Sequence, residues 1–270
     1  MDLKDAIIRM YDKSEFNEED KKIFREFKAS LNLGKIRAAQ KVNGKWITND
    51  WVKMGILVGF RMGKIVKMPI SKMKYFLDKE TYPTRDFQIN DNIRIVPGGS
   101  SVRDGAYIGK NVVMMPPMYV NVGAFVDEGT MVDSHALVGS CAQVGKRVHL
   151  SAASQLGGVL EPIGANPVII EDDVFIGGNC GIYEGVIVKT KAIIAPGTII
   201  TAGTPVFDSV KNKYLPKEKG KAVIIPENAV VVSGSRPLKS NPQFSIYCPI
   251  IIKYRDEKSD ISVTLEEALR

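Results

Sequence analysis

Aliphatic residues recur every six positions through the middle of the chain. Val96, Val102, Ile108, Met114, Val120, Val126, Val132, Val138, Val144, Leu150 and Leu156 keep the interval without interruption, and Ile170, Ile176, Ile182, Val188, Ile194, Ile200 and Val206 resume it. Two positions before most of them stands a small or β-branched side chain, among them Ala106, Ala124, Thr130, Ala136, Ala142, Ala192, Thr198 and Thr204. A helix repeats its buried face about every 3.6 residues and a strand about every 2, so neither explains a period of six. A triangular solenoid does: each hexad forms one flat side, three hexads close one coil, and the aliphatic residue points into the prism. The spacing predicts a mostly β protein built on a parallel β-helix over 93–207. At the usual strand spacing the hexads stack into about six coils, a prism on the order of 29 Å long.

The flanks have another texture. Asp2–Tyr11 is an amphipathic helix candidate. Asn17 is placed to cap a second helix whose first turn holds Glu18, Glu19 and Asp20 and which runs through Ile23, Phe24, Phe27 and Leu31 to Gly34. Asn43-Gly44 between IRAAQKV and KWIT signals a two-residue hairpin. Asn49 or Asp50 can start a third helix that ends near Gly63, and 64–92 reads as a connecting region. Residues 1–92 thus form a mainly helical N-terminal domain. After Val206, FDSVKNKYLPKEKGKA reads as a charged loop, IPENAVVVSG as one more coil or strand, FSIYCPIIIKY as a strand and SVTLEEALR as a short helix, a small β/α extension over 208–270.

The ruler breaks once. Leu156 to Ile170 spans fourteen residues, and the intervening GGVLEPIGANPVI must leave the coil as a loop, 157–169. Loops on a rigid scaffold commonly carry function.

Composition narrows the setting. The net charge of +7 comes from Lys and Arg spread along the chain, with no basic recognition helix or aromatic-interleaved patch, so it points to small anions rather than nucleic acid. Apolar runs are too short to span a membrane, and the N-terminus lacks the apolar core of a signal peptide. Three widely spaced cysteines, Cys141, Cys180 and Cys248, suit a reducing cytoplasm and read as small buried hydrophobes.

A filled prism has no interior pocket, so a site must lie on an outer face or between copies, and flat faces favour cyclic trimers. A zinc site shared between copies needs about three histidines; His135 and His149 are the only two and fall at different phases of the ruler, so no metal is expected. Either could serve as a base for acyl transfer to a hydroxyl, and each reads more simply as a surface residue. Transfer to an amine needs orientation and removal of one proton, which a carboxylate supplies. Asp127, Glu128 and Asp133 are the candidates, and the shared phase of Asp127 and Asp133 predicts that they stack on one aspect of the prism.

MYVNVGAFVDEGTMVDSHALVGSCAQVGKRVHLS, followed by GGVLEPIGANPVIIEDDVFIGG and YEGVIV, closely resembles the tetrahydrodipicolinate N-succinyltransferase family of hexapeptide-repeat enzymes. The match is dense over 90–235 and looser over KWITNDWVKMGILVGFR, VVVSG and IYCPIII. The resemblance implies a left-handed coil and a cytoplasmic homotrimer with active sites between adjacent chains. It implies transfer of succinyl from succinyl-CoA, a co-substrate rather than a resident cofactor, to the amine of ring-opened tetrahydrodipicolinate in lysine and diaminopimelate biosynthesis. It also carries roles onto residues: Arg94 in IRIVP for a substrate carboxylate, and Asp133 in GTMVD for holding or deprotonating the amine. Some members carry a Glu where this chain has Gly181, and Glu184 is the nearest replacement.

The coenzyme would lie along a groove between coils, where Gly177, Gly178, Ala195 and Gly203 allow close approach, under a lid 157–169 hinged at Gly157 and Gly158. The rival readings are an N-acetyltransferase on the same or a related acceptor, a metal-dependent hydratase, and a non-catalytic scaffold.

Overall fold

A computed structural model describes residues 2–71, 74–216 and 223–255. Helices α1 (Leu3–Tyr11), α2 (Glu18–Asn32) and α3 (Asp50–Met62) form the N-terminal cluster with hairpins β1 (Ala39–Val42)/β2 (Lys45–Thr48) and β3 (Ile65–Ser71)/β4 (Lys74–Lys79). Asn17 caps α2 reciprocally: its side chain accepts from Asp20 N at 2.9 Å, and Asp20 accepts from Asn17 N at 3.0 Å. Asn49 takes the N-cap position of α3 but makes no side-chain cap, donating instead to Arg37 O at 2.7 Å. Asn43 and Gly44 turn the first hairpin with φ of 49° and 76°, as the Asn-Gly signal requires. Hairpin β3/β4 lies inside the stretch read as a connector. Its two strands carry no clean alternation, and Ile65, Phe76 and Leu77 are exposed, so period 2 could not reveal them.

From Val102 onward the chain is a left-handed parallel β-helix. Residues eighteen apart pair across coils: Val102 with Val120, Ile108 with Val126, Met114 with Val132. Past the excursion the partner lies twenty-six residues on, Val144 with Ile170 and Leu156 with Ile182, so the loop adds eight residues without disturbing the register. The first sheet holds Val102, Val120, Val138, Leu156, Ile182 and Ile200. The second holds Ile108, Val126, Val144, Ile170, Val188 and Ile225. The third carries Met114, Val132, Leu150, Ile176, Ile194 and Val231. Every ruler residue from Val102 to Ile200 is buried in one continuous core.

Both ends of the ruler need correction. Val96 is not a rung residue: Ile95 pairs with Met114, a one-residue slip imposed where the chain enters through Pro97-Gly98-Gly99. Val206 is buried, yet Ile225 takes the place beside Val188, and after Val206 the chain forms a short hairpin at Phe207–Asp208 and Lys213–Tyr214. Ala229–Val232 then completes the extra coil. FSIYCPIIIKY is two strands, Asn241–Tyr247 and Ile250–Tyr254, because Pro249 lacks the N–H a continuous ladder would need. The helix expected at SVTLEEALR lies outside the described residues.

A second ruler runs three residues before the first. Gly105, Asn111, Gly123, Gly129, His135, Cys141, Arg147, Ala153, Asp173, Asn179, Gly185, Lys191 and Gly197 all have positive φ. Each turns one corner of the prism. Glycine and asparagine take that conformation readily, whereas Arg147, Ala153 and Lys191 do so at a cost of roughly 1–2 kcal/mol each. The chain accepts that cost because the stacked coils on either side fix the corner.

The N-terminal cluster covers the second sheet. Phe27, Ile56 and Tyr82 pack on Val122 and Cys141, and Trp46 and Ala39 on Ile169 and Ile187. The Arg37 guanidinium lies 3.5 Å over the Phe125 ring and donates to Gln143 Oε1 at 3.0 Å. One side of the prism is thereby closed by the chain itself. The first and third sheets keep half-exposed outward positions, such as Tyr119 and Leu137 on one and Met131, Phe175 and Ile193 on the other.

Candidate active site

Three corners run the length of the prism, each a set of columns in which one residue follows another by a coil. At the corner between the third and first sheets the column is Met115, Asp133, Ser151, Gly177, Ala195. Asp133 N donates to Leu150 O at 2.9 Å, Ser151 N to Ile176 O at 2.9 Å, Gly177 N to Ile194 O at 2.7 Å and Ala195 N to Val231 O at 2.8 Å. The adjacent column holds Ser134, Ala152 and Gly178, linked through Ala153 N to Ser134 O and Asn179 N to Ala152 O. Below Asp133 this edge is lined by small side chains.

Asp133 is half-buried, and one carboxylate oxygen accepts from Ser134 N at 2.6 Å. Among the described residues that is its one side-chain hydrogen bond. The carboxylate is therefore oriented by its own backbone and keeps lone pairs for a donor arriving from outside, as an amine acceptor or base requires. Ser151 Oγ, one coil away in the same column, is buried and makes no hydrogen bond among the described residues.

Asp127 does not join Asp133. Six residues advance the chain by one side of the triangle, so the two occupy different corners; stacking needs eighteen. Asp127 follows the second sheet, in a column with Gly145, Glu171 and Lys189. That corner is saturated with internal charge pairing. Arg147 forms a forked pair with Asp173 at 2.6 and 2.9 Å, and Asp172 accepts from Lys146 N at 2.9 Å. Glu171, which sequence reasoning overlooked, is 4% exposed. It accepts from Trp46 Nε1 at 2.8 Å, Lys41 Nζ at 2.9 Å, Lys189 Nζ at 3.0 Å and Thr190 Oγ1 at 3.0 Å. Burial alone would push its carboxyl up; the bonds from Trp46, Lys41 and Lys189 outweigh that and bring it to about 2. Glu171 pins hairpin β1/β2 to the prism, and no lone pair is left over for chemistry.

Arg94 pairs with Val113 at the head of the third sheet and is exposed. Val113 pairs with Met131, two residues before Asp133. Arg94 and Asp133 thus belong to one side of the prism, about two coils or roughly 10 Å apart along its axis.

Within one chain Glu184 and Asp133 stand at different corners. Glu184 is exposed at the corner between the first and second sheets, in the column of Ser140 and Gly158. Tyr183, immediately before it, holds the space over Gly181: a Cβ built on Gly181 meets the Tyr183 ring and lies 2.9 Å from Ile199 Cδ1.

The six residues expected along the coenzyme divide between the two corners that bound the first sheet. Gly177, Gly178 and Ala195 lie on the Asp133 corner; Gly157, Gly158 and Gly203 on the other. Gly177 is small for an internal reason, since a Cβ there lies 2.5 Å from Pro196 N, whereas at Gly178 the nearest atom is Ala152 O at 3.2 Å. Gly203 faces Thr201 Oγ1 at 3.6 Å. Neither Gly157 nor Gly158 has a positive φ, and a Cβ on them meets Tyr183 Cδ1 at 2.7 Å and Ser140 N at 2.8 Å, so packing explains both.

The excursion 157–169 is held to the prism and to the N-terminal cluster. Val159 N donates to Ser140 O at 3.1 Å, the fully buried Lys53 donates to Ala165 O, and Thr48 Oγ1 donates to Asn166 Oδ1 at 2.7 Å. Leu160 packs against the helical core.

His149 lies outward on the third sheet, 4.9 Å from the Phe175 ring, and His135 is an exposed corner residue, so they do not converge. Cys141, Cys180 and Cys248 are buried and unpaired, and burial pushes the Cys141 thiol up to about 12. Among the described residues no helix is long and apolar enough to cross a membrane.

Known proteins resemble this chain in sequence. Residues 2–62 match the N-terminal domain model of tetrahydrodipicolinate N-succinyltransferase, and 167–202 match the hexapeptide repeat of succinyl-transferases. The chain is 45% identical over 247 residues to the 2,3,4,5-tetrahydropyridine-2,6-dicarboxylate N-succinyltransferase of Herminiimonas arsenicoxydans, covering 90% of this chain and 86% of that one. It is 43% identical over 249 residues to the protein of that name from Sodalis glossinidius, with the same coverage. The Pasteurella multocida protein of that name is 45% identical over 247 residues, 89% of this chain and 85% of its own.

Proposed function

The chain belongs to the tetrahydrodipicolinate N-succinyltransferase family, and from that premise we propose that it moves a succinyl group from succinyl-CoA to the amine of ring-opened tetrahydrodipicolinate. The observation that carries this reading is the identity of 45% along 90% of the chain to a relative named for that reaction. Such coverage spans the helical cluster, the prism and the Asp133 corner together. The relatives at 43–45% identity are named for succinyl rather than acetyl transfer.

In this reading the protein is a homotrimer. The second sheet is closed by the chain's own N-terminal cluster, while the first and third sheets keep half-exposed apolar outward residues, Tyr119 and Leu137 on one and Met131, Phe175 and Ile193 on the other, which suits packing of parallel prisms. Each site then forms where the Asp133 corner of one copy meets the first sheet of the next. Asp133 orients the amine and takes its proton as the carbon–nitrogen bond forms. The thiolate of coenzyme A leaves the same carbonyl carbon, so no acyl-enzyme is required. Arg94 supplies a fork for a substrate carboxylate. The small-residue edge at Ser151, Gly178 and Ala195 gives the thin arm of the coenzyme room to approach the backbone. The loop 157–169 borders the site as a fixed wall, its stem tied down by Lys53 and Thr48.

Thiol release from succinyl-CoA and acetyl-CoA, each with and without tetrahydrodipicolinate, tests the proposal. Acceptor-dependent release that strongly favours succinyl-CoA is the expected result. Preference for acetyl-CoA makes the protein an acetyltransferase on the same scaffold, and no release with either donor sinks the catalytic reading.

A further inference from the structure

We propose that Lys53 is a positioning residue for the reaction: its buried ammonium fixes the excursion 157–169 at the edge of the first sheet, at a cost to the stability of the fold. The inference rests on the succinyltransferase reading above. Lys53 stands on α3 and is the one Lys or Arg buried among the described residues, at 0% exposure. Val52 and Ile56, near it on the helix, belong to an apolar core with Val122 and Cys141. Its Nζ donates to Ala165 O, and among the described residues no carboxylate stands within ion-pair distance of it. Burial lowers its pKa, against the opposing pull of Cys141 and Asp50. Taking an ammonium out of water is expensive, and one carbonyl offsets little of that. Stability of the fold therefore does not account for a charge at this place.

The excursion accounts for it. Ala165 closes a turn by donating to Pro162 O at 2.9 Å, and Ala165 O accepts from no backbone N–H among the described residues. Lys53 is its donor. The turn carries the tip of the excursion, where Glu161, Pro162 and Gly164 are exposed. The base of the excursion lies on the edge of the first sheet, with Gly157 N donating to Ile182 O at 2.8 Å and Val159 N to Ser140 O at 3.1 Å. In the reading above that sheet receives the Asp133 corner of the adjacent copy, so the tip stands at the rim of the site. Without the ammonium, Ala165 O is left unpaired and gains a partner only by swinging the turn out to water. The tip moves with it. Thr48 still holds Asn166, one residue on, at 2.7 Å, so the excursion shifts rather than unfolds.

Lys53→Met keeps an unbranched side chain and removes both charge and donor. The expected result is a Tm at or above that of the parent, with kcat/KM for tetrahydrodipicolinate lowered about tenfold by the misplaced rim. Limited proteolysis is expected to cut faster within 161–164. Lys53→Gln returns a neutral donor and is expected to recover turnover and protease resistance relative to Lys53→Met. A lower Tm in Lys53→Met, or a protein that does not fold, makes Lys53 a structural residue and overturns the inference. Parental kcat/KM in Lys53→Met overturns it too, whatever the cleavage rate, and leaves the succinyltransferase reading intact. An inactive parent protein overturns that reading, and this inference with it.

Discussion

At the corner between the second and third sheets, Glu171 accepts hydrogen bonds from Trp46, Lys41, Lys189 and Thr190 and is shut away from water. At the corner between the third and first sheets, Asp133 accepts from its neighbour Ser134 and stands half in solvent above Ser151, Gly177 and Ala195. Both carboxylates follow an inward aliphatic residue by one position, so the repeat treats them alike. Their surroundings do not. The first is spent on holding the N-terminal hairpin to the prism; the second is aimed but unspent. A carboxylate whose lone pairs are filled by its own chain stabilises, and one held by a single backbone bond beside small residues remains available to a substrate.

The largest effect that would break this comparison is on catalysis. Asp133→Asn keeps the shape and the bond from Ser134 but cannot take a proton. Its kcat is expected to fall by about 10²–10⁴, the usual contribution of a positioned base, with Tm and assembly unchanged; near-parental turnover would remove Asp133 from the mechanism.

Glu171→Ala probes the other corner. It leaves Lys189 and Lys41 beside a buried gap and is expected to destabilise the fold by about 3–5 kcal/mol, read as a lower Tm, while kcat per folded molecule stays the same. The same carboxyl gives a pH signature. Its folded value of about 2 lies below the ordinary 4.5, so its contribution is complete above pH 4.5 and drains away as pH falls toward 2. The amount is about 3 kcal/mol. The acid limb of the stability curve should flatten in Glu171→Gln, and an unchanged limb would mean that the hairpin is held by packing alone. The smallest effect belongs to Asp127→Asn, an exchange at the same ruler phase whose carboxylate accepts from Glu128 N. Stability within about 0.5 kcal/mol and unaltered turnover are expected in thermal melts and kinetics.

The contrast also marks how far the sequence could be read. The inward residues from Val102 to Ile200 were legible because burial every sixth position is a property of each hexad by itself. The corner logic was not, because it depends on the eighteen-residue coil: Asp127 and Asp133 share a phase and yet point to different sides. Positive φ repeats at nearly every corner, failing at Pro117 and Pro167, but it is written in Gly, Asn, Asp, Arg, Lys, His, Cys and Ala alike, so composition conceals it. Glu171 gave no signal because its partners Trp46 and Lys41 sit more than a hundred residues away. The Tyr183 ring folds back over Gly157 and Gly181, a contact between neighbouring coils that hexad spacing does not reveal. Asp133 and Arg94 came from resemblance to a family, and the structure adds that they share one side of the prism.

The most direct test of an active site built between copies is a mixed trimer. Asp133→Asn disables one edge of the site, and Gln155→Trp, on the exposed face of the first sheet, blocks the other; each is expected to be inactive alone. Co-expressed at equal levels, the two should regain about one quarter of parental activity per site, the fraction of interfaces that pair two intact edges in random cyclic trimers. Mixed trimers as inactive as either variant would place both edges in one chain and contradict the account.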